Sequence, residues 1–193
     1  MNIIDCKLAL KTLKNGLPVI FPTDTLPAIG CLPQFSKIIY KFKKRDKNKP
    51  LILMGSEQTQ LIDYVHESAK EDYEKIASKY WPGALTMVIP CAKKEAEILT
   101  SIDFTLGLRI PNSFIAKSLM KETGPLLTSS ANISGSPGSI AAEEIALDFP
   151  SVDILGPVPW EKGSGKASTI ISWEKNKNWR LIREGEVIMK DFS

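Results

Sequence analysis

Short apolar runs recur along this chain, and most are separated by amphipathic stretches with helical spacing, which constrains the fold more than any other feature. The runs LPVIF (17–21), LILM (51–54), LTMVIP (85–90), FTLGLRIP (104–111) and PLLTSS (125–130) read as strands, and VDIL, STIIS and WRLIR supply three more. Between them, residues 5–15 read as a helix with Asp5 as N-cap and Gly16 past its end. Phe35, Ile38, Ile39 and Phe42 keep the i, i+3, i+4, i+7 spacing of a helix opened by Ser36. Ser56 and Ser68 each stand where they can cap a helix, the second ending before Trp81-Pro82-Gly83. Ser113 opens another that closes near Gly124, and residues 140–148 form one that stops at Pro150. The late strands lack intervening helices, so the expected architecture is α/β with a mixed rather than purely parallel sheet. No repeat or linker divides the 193 residues, which read as one domain, 1–193.

Bulk properties narrow the function classes. Hydrophobic residues make up 43% and charged residues 24%, the balance of a soluble globular chain. The net charge is only +3, so a basic surface must come from local clustering. Cys6, Cys31 and Cys91 are odd in number and widely spaced, which disfavours a disulfide framework and a zinc site. Polar residues early in MNIIDCKLALK leave no signal-peptide core, and no apolar run is long enough to span a bilayer. A cytoplasmic protein is expected.

Candidate chemistry gathers in four places. KFKKRDKNKP crowds Lys41, Lys43, Lys44, Arg45, Lys47 and Lys49 at a helix end, suited to a polyanion or to a plain solvated face. TSSANISGSPG follows a buried strand and offers the hydroxyls of Ser129 and Ser130, the Asn132 amide and close-approach glycines. Arg109 and Arg183 each end a strand, where an arginine is either a surface ion-pair partner or a ligand clamp. PTDT (22–25) is either part of a site or, equally, a Pro-led turn in which Asp24 bonds its own backbone. The KGSGKAST loop is not a Walker A motif, because Trp160 stands where the first glycine is required. The lone His66 has no nucleophile motif beside it and reads as a surface residue.

In order, GLPVIFPTDT (16–25), KFKKRDKNKPL (41–51), WPGALT (81–86), LGLRIP (106–111), LLTSSANISG (126–135), KAST (166–169) and LIREG (181–185) resemble the YrdC/Sua5 family of threonylcarbamoyl-AMP synthases. The resemblance implies a twisted mixed sheet with flanking helices and a large concave basic cavity. It implies condensation of L-threonine, bicarbonate or CO2 and ATP to threonylcarbamoyl-AMP and pyrophosphate, with Mg2+ carried by the nucleotide. A threonylcarbamoyl transferase complex acting on tRNA would consume the product. By position, Lys43, Arg45, Lys49, Thr105, Ser130, Asn132 and Arg183 fall on the ATP side, with Lys43 and Arg45 catalytic. Thr25, Arg109, Thr128 and Ser168 fall on the threonine side, Arg109 facing the substrate carboxylate. Many members continue the first motif as Thr-x-Tyr-Gly and carry a histidine after the Pro-Leu strand start. Here Leu26, Pro27 and Ala28 follow Thr25, and Met54 replaces that histidine. Two other readings compete: a non-catalytic RNA-binding protein using the concave basic face, and a carbamoyltransferase for another acceptor. As a synthase, the chain is expected to bind RNA only weakly and in a salt-dependent way.

Overall fold

A computed structural model describes residues 1–46, 48–91, 104–175 and 177–188. Its frame is a ten-stranded mixed sheet. The strands are β1 (Ile3–Ile4), β2 (Val19–Phe21), β3 (Ala28–Cys31), β4 (Ile52–Met54) and β5 (Leu85–Pro90), followed by β6 (Thr105–Arg109), β7 (Leu126–Ser130), β8 (Asp153–Leu155), β9 (Thr169–Trp173) and β10 (Trp179–Arg183). Across the sheet they run β1-β8-β2-β3-β7-β4-β6-β5-β9-β10. Five α-helices flank it among the described residues: α1 (Cys6–Lys14), α2 (Lys37–Lys43), α3 (Lys70–Tyr80), α4 (Phe114–Thr123) and α5 (Ala142–Asp148).

The apolar runs of β2, β7 and β8 are continuous because both faces of these strands are covered. Val19, Phe21, Leu126 and Leu155 pack with Ala9 and Leu13 of α1 and Ala116, Leu119 and Met120 of α4. Their neighbours Ile20, Leu127 and Ile154 point the other way, into a cluster with Ile39 of α2, Tyr73, Ile76 and Ala77 of α3, and Ile145 of α5. Helix ends follow their capping residues. The Asp5 carboxylate accepts from Leu8 N–H at 2.8 Å, Gly16 leaves α1 at φ 81°, and the Ser113 hydroxyl accepts from Ala116 N–H at 3.4 Å.

Several expectations need correction. The chain after Ser56 forms successive 3-10 turns (Gln58–Gln60, Ile62–Tyr64) rather than an α-helix. Val65 bridges Cys91, and His66 N–H donates to Pro90 O at 2.8 Å, so the segment must extend to meet β5. Ser68 lies inside a short turn whose cap is His66, with Nδ1 accepting from Ser68 N–H. Ser36 starts α2 without a side-chain capping bond. Strands β1 and β3 were not anticipated. At β3, Pro27 and Gly30 interrupt the strand signal, and a Cβ on Gly30 would lie 2.8 Å from the Phe21 ring. Lys47 of the basic cluster lies outside the described residues.

Candidate active site

One face of β4, β6, β5, β9 and β10 is left open to a cavity of about 680 Å³. Strand register builds its floor. Thr128 pairs with Ile52, Ile52 with Gly107, Gly107 with Val88, Val88 with Ser172, and Ser172 with Arg180. Residues directly opposite one another share a face, so this row crosses six strands on the cavity side. Gly107 keeps the middle of the floor low, because it sets no side chain between Ile52 and Thr86. Of the residues the sequence singled out, Thr25, Arg45, Lys49, Thr105, Arg109, Thr128, Ser130, Ser168 and Arg183 all line the cavity.

At the buried end, Arg109 is 3% exposed and its guanidinium is held on three sides. Nε donates to Gly83 O at 3.1 Å, one terminal nitrogen to the Thr25 hydroxyl at 2.9 Å, and the other to the Asp24 carboxylate at 2.7 Å. Burial, partly offset by Asp24, lowers its pKa, and the nearby Arg183 charge pushes the same way. The Thr23 hydroxyl braces the turn, accepting from Thr25 N–H and donating to Leu26 O. Asp24 therefore serves Arg109, rather than the bond to its own backbone that the sequence left open as one alternative. Gly163 lets the 161–167 loop lie against this turn, since a Cβ there would come within 2.1 Å of Thr25 O. Nearby, Arg183 donates through Nε and a terminal nitrogen to Ser168 O, and the Ser168 hydroxyl is 2.9 Å from that of Thr86. Thr128 donates to Ile52 O at 2.9 Å, leaving its oxygen free to accept.

At the open end, Arg45 is half-buried, donating through Nε to Lys49 O at 3.2 Å and through a terminal nitrogen to Pro50 O at 3.0 Å. Those bonds close the 45–50 loop and set Arg45 against the cavity. Lys49 is exposed beside it.

Lys43 and Asn132 are not among the cavity-lining residues. Lys43 is 1% exposed. Its ammonium donates to Ser130 O, Asn132 O and the Asn132 side-chain oxygen, and its carbonyl accepts from Ser134 N–H. Burial, then the Arg45 charge, lower its pKa to about 8. The Asn132 side-chain oxygen also accepts from the Ser130 hydroxyl at 2.6 Å. Lys43 thus fixes the serine-rich loop instead of projecting into the cavity. The basic stretch is not a uniform solvated face.

Sequence reasoning missed Asp24, Thr86 and Arg180. Asp24 and Thr86 stood within quoted motifs, but only the fold brings them to Arg109 and Ser168. Arg180 stood in WRLIR and reads as an ordinary edge-strand cation. The described lining residues include Arg45, Lys49, Arg109, Arg180 and Arg183 but no carboxylate, histidine or cysteine. Such a site is suited to binding and orienting anions, and its described lining sets no histidine or carboxylate beside the serine and threonine hydroxyls to activate them as nucleophiles. No helix among the described residues is long and apolar enough to cross a membrane.

Comparison with known proteins agrees with this geometry. A family model for Sua5/YciO/YrdC, described as telomere recombination, matches residues 11–185. A threonylcarbamoyl-AMP synthase from Buchnera aphidicola subsp. Baizongia pistaciae is 32% identical over 192 residues, covering 96% of this chain and all of that protein. One from Bacillus subtilis is 33% identical over 85% of this chain, which spans 49% of its length. The structure of P. abyssi Sua5 complexed with L-threonine superposes with a TM-score of 0.86 at 28% identity, covering 96% of this chain and 58% of that one. Most of the chain falls under the family model and the cavity gathers the motif residues: this protein belongs to the Sua5/YciO/YrdC family.

Proposed function

We propose that this chain is an enzyme that condenses L-threonine, CO2 or bicarbonate, and ATP into threonylcarbamoyl-AMP and pyrophosphate, acting as a nucleotidyltransferase. The observation that carries the reading is the division of one cavity into a buried hydroxyl-and-arginine end and a more exposed cationic end. A small zwitterion suits the first and a triphosphate the second.

A guanidinium has about five N–H groups, and the Thr25, Asp24 and Gly83 contacts use three of Arg109's. The remainder meets the threonine carboxylate, while Asp24 keeps the fork from rotating. Hydroxyls of Thr25, Thr128 and Ser168 surround the amino acid. Threonine's amine, having lost its ammonium proton to solvent, adds to CO2 and releases a second proton to solvent to form a carbamate, and a carbamate oxygen attacks the α-phosphorus. The bond from that phosphorus to the β-phosphate bridging oxygen breaks, and pyrophosphate leaves. Arg45, Lys49 and Arg183 offset the negative charge brought together in this step, and Ser130 orients the nucleotide. Mg2+ would accompany the triphosphate, held by phosphate and water, since the described lining offers no carboxylate cage. The product is a mixed anhydride, suited to a transferase that passes the threonylcarbamoyl group to tRNA.

The RNA-binding alternative weakens on one observation. Lys43, at the centre of the basic run, is buried against carbonyl oxygens and contributes little to an outer phosphate track.

The test is mass spectrometry of the product, with pyrophosphate release measured without RNA. Release should require both L-threonine and bicarbonate, and serine is the competitor to include because Met54 and Pro27 depart from the common pattern. Equal release with either substrate omitted would rule the reading out.

A further inference from the structure

Arg180 lies on edge strand β10, outside the family motifs quoted above, yet it lines the cavity. Two observations fix its orientation. It pairs directly with Ser172, itself a lining residue, which places both side chains on the cavity face. Its Nε lies 2.8 Å from a Glu174 carboxylate oxygen in an ion pair, so the two terminal amino groups remain as the available edge of the fork.

An irregularity in the strand makes this arginine matter. Regular alternation would put Arg180 and Ile182 on one face and Arg183 on the other. Between Leu181 and Arg183 the register shifts, so that Leu181 opposes Ile171 and Arg183 opposes Ile170. The bulge turns Arg183 to the same side as Arg180, and both line the cavity. Arg183 is tied to Ser168 at the inner end. Arg180 lies two partner residues further out, about 7 Å along the strand. A row of two arginines at that spacing suits a polyphosphate better than a single phosphate.

We propose that Arg180 is a substrate-binding residue that grips the β- and γ-phosphates and stabilises the departing pyrophosphate, while Arg183 serves the inner phosphate. This rests on the synthase reading above. Glu174 ties the side chain at Nε while Arg180 lines the cavity. The nucleotide's charge is thereby met from both rims, by Arg45 and Lys49 on one side and β10 on the other. The assignment separates the phosphates: AMP, the part of ATP retained in the product, does not reach Arg180, whereas pyrophosphate does.

The experiment measures calorimetric binding of ATP, pyrophosphate and AMP to the full chain and to Arg180→Ala and Arg180→Lys, alongside adenylate formation. Arg180→Ala should weaken ATP and pyrophosphate by about 10- to 150-fold, the range for one charge-assisted contact, and AMP by less than about twofold. Arg180→Lys should recover part of the loss, since a point charge replaces the fork. An unchanged melting temperature is expected for a side chain this exposed. Equal weakening of all three ligands, which would make Arg180 a general contributor of charge, or no weakening, which would leave it a surface ion-pair partner, would overturn the proposal. Should the wild type bind pyrophosphate in an Arg180-dependent way yet make no adenylate, the synthase reading fails while the anion site stands.

Discussion

The two ends of the cavity solve different physical problems. At the inner end Thr25, Arg109, Thr128 and Ser168 are 2%, 3%, 0% and 4% exposed, and each has its polar atoms bonded within the protein. At the outer end Arg45, Lys49, Thr105, Ser130 and Arg180 are half-buried or exposed, and the exposed Arg183 joins this group to the inner end through its bonds to Ser168. The inner group is the set that the family resemblance places around threonine, and the outer group, Arg180 apart, belongs to the set placed around ATP. A small neutral zwitterion gives little Coulomb energy, so discrimination must come from fixed, desolvated donors and acceptors. A triphosphate is recognised by charge, which tolerates looser side chains and needs access for release. The difference predicts that inner substitutions damage fold and turnover together, whereas outer ones damage turnover alone.

The largest effect should follow Arg109→Ala. It strands the Asp24 carboxylate, whose side chain is 16% exposed, and removes the bond that locates Thr25. Breaking a buried pair from one side costs about 3–5 kcal/mol. Chemical denaturation should show a loss of that order, with turnover down by more than about a thousandfold. Asp24→Asn should be milder in stability, because the amide still accepts from Arg109, yet should raise the KM for threonine. If Arg109→Ala keeps the wild-type unfolding midpoint, the inner end is not the rigid anchor described here.

Next is Lys43, which belongs structurally to neither end. Its pKa is lowered from 10.5 to about 8, chiefly by burial. The unfolded chain keeps this proton up to pH 10.5, whereas the folded chain releases it near 8. Between those values the unfolded state binds more protons, so stability rises with pH across that window. Relative to Lys43→Met, the wild type should gain on the order of 3 kcal/mol from pH 8 to 10.5. Urea melts of both proteins at each end of the window would measure it; a constant difference would mean the folded pKa is near normal.

How much of this was legible beforehand depended on locality. Strands β2 and β7 were readable because burial on both faces gives unbroken apolar runs, and α1 and α4 because Asp5, Gly16, Ser113 and Gly124 mark their ends. β1 was not, having two residues, Ile3 and Ile4, paired to β8 from far along the chain. The helix expected after Ser56 failed because Val65 and His66 are committed to the end of β5. Within the site, lining residues were nameable from motifs, but their partners were not. Nothing local says that the end of β6 brings Arg109 to Asp24, or that a bulge turns Arg183 beside Arg180. Lys43 misled most, because position in a basic run predicts exposure, while its place at the end of α2 turns it inward to Ser130 and Asn132.

At the outer end, Arg45→Ala should lower kcat/KM for ATP by about 10- to 150-fold, the cost of one charge-assisted contact, and leave the unfolding midpoint nearly unchanged. The smallest effect is predicted one residue earlier. Lys44 is exposed and ends α2 in the left-handed region, at φ 49° and ψ 40°. A side chain there is strained, and glycine is the residue that helix ends of this kind favour. Lys44→Gly should therefore raise stability by about 0.5–1 kcal/mol while removing one positive charge from the run. Turnover and its salt dependence should stay at wild-type values, since Lys44 is not among the cavity-lining residues. Steady-state kinetics across a salt series, together with a thermal melt, separate the two possibilities. If Lys44→Gly loses as much activity as Arg45→Ala, the run works through bulk charge, and the outer end is a diffuse field rather than a set of placed contacts.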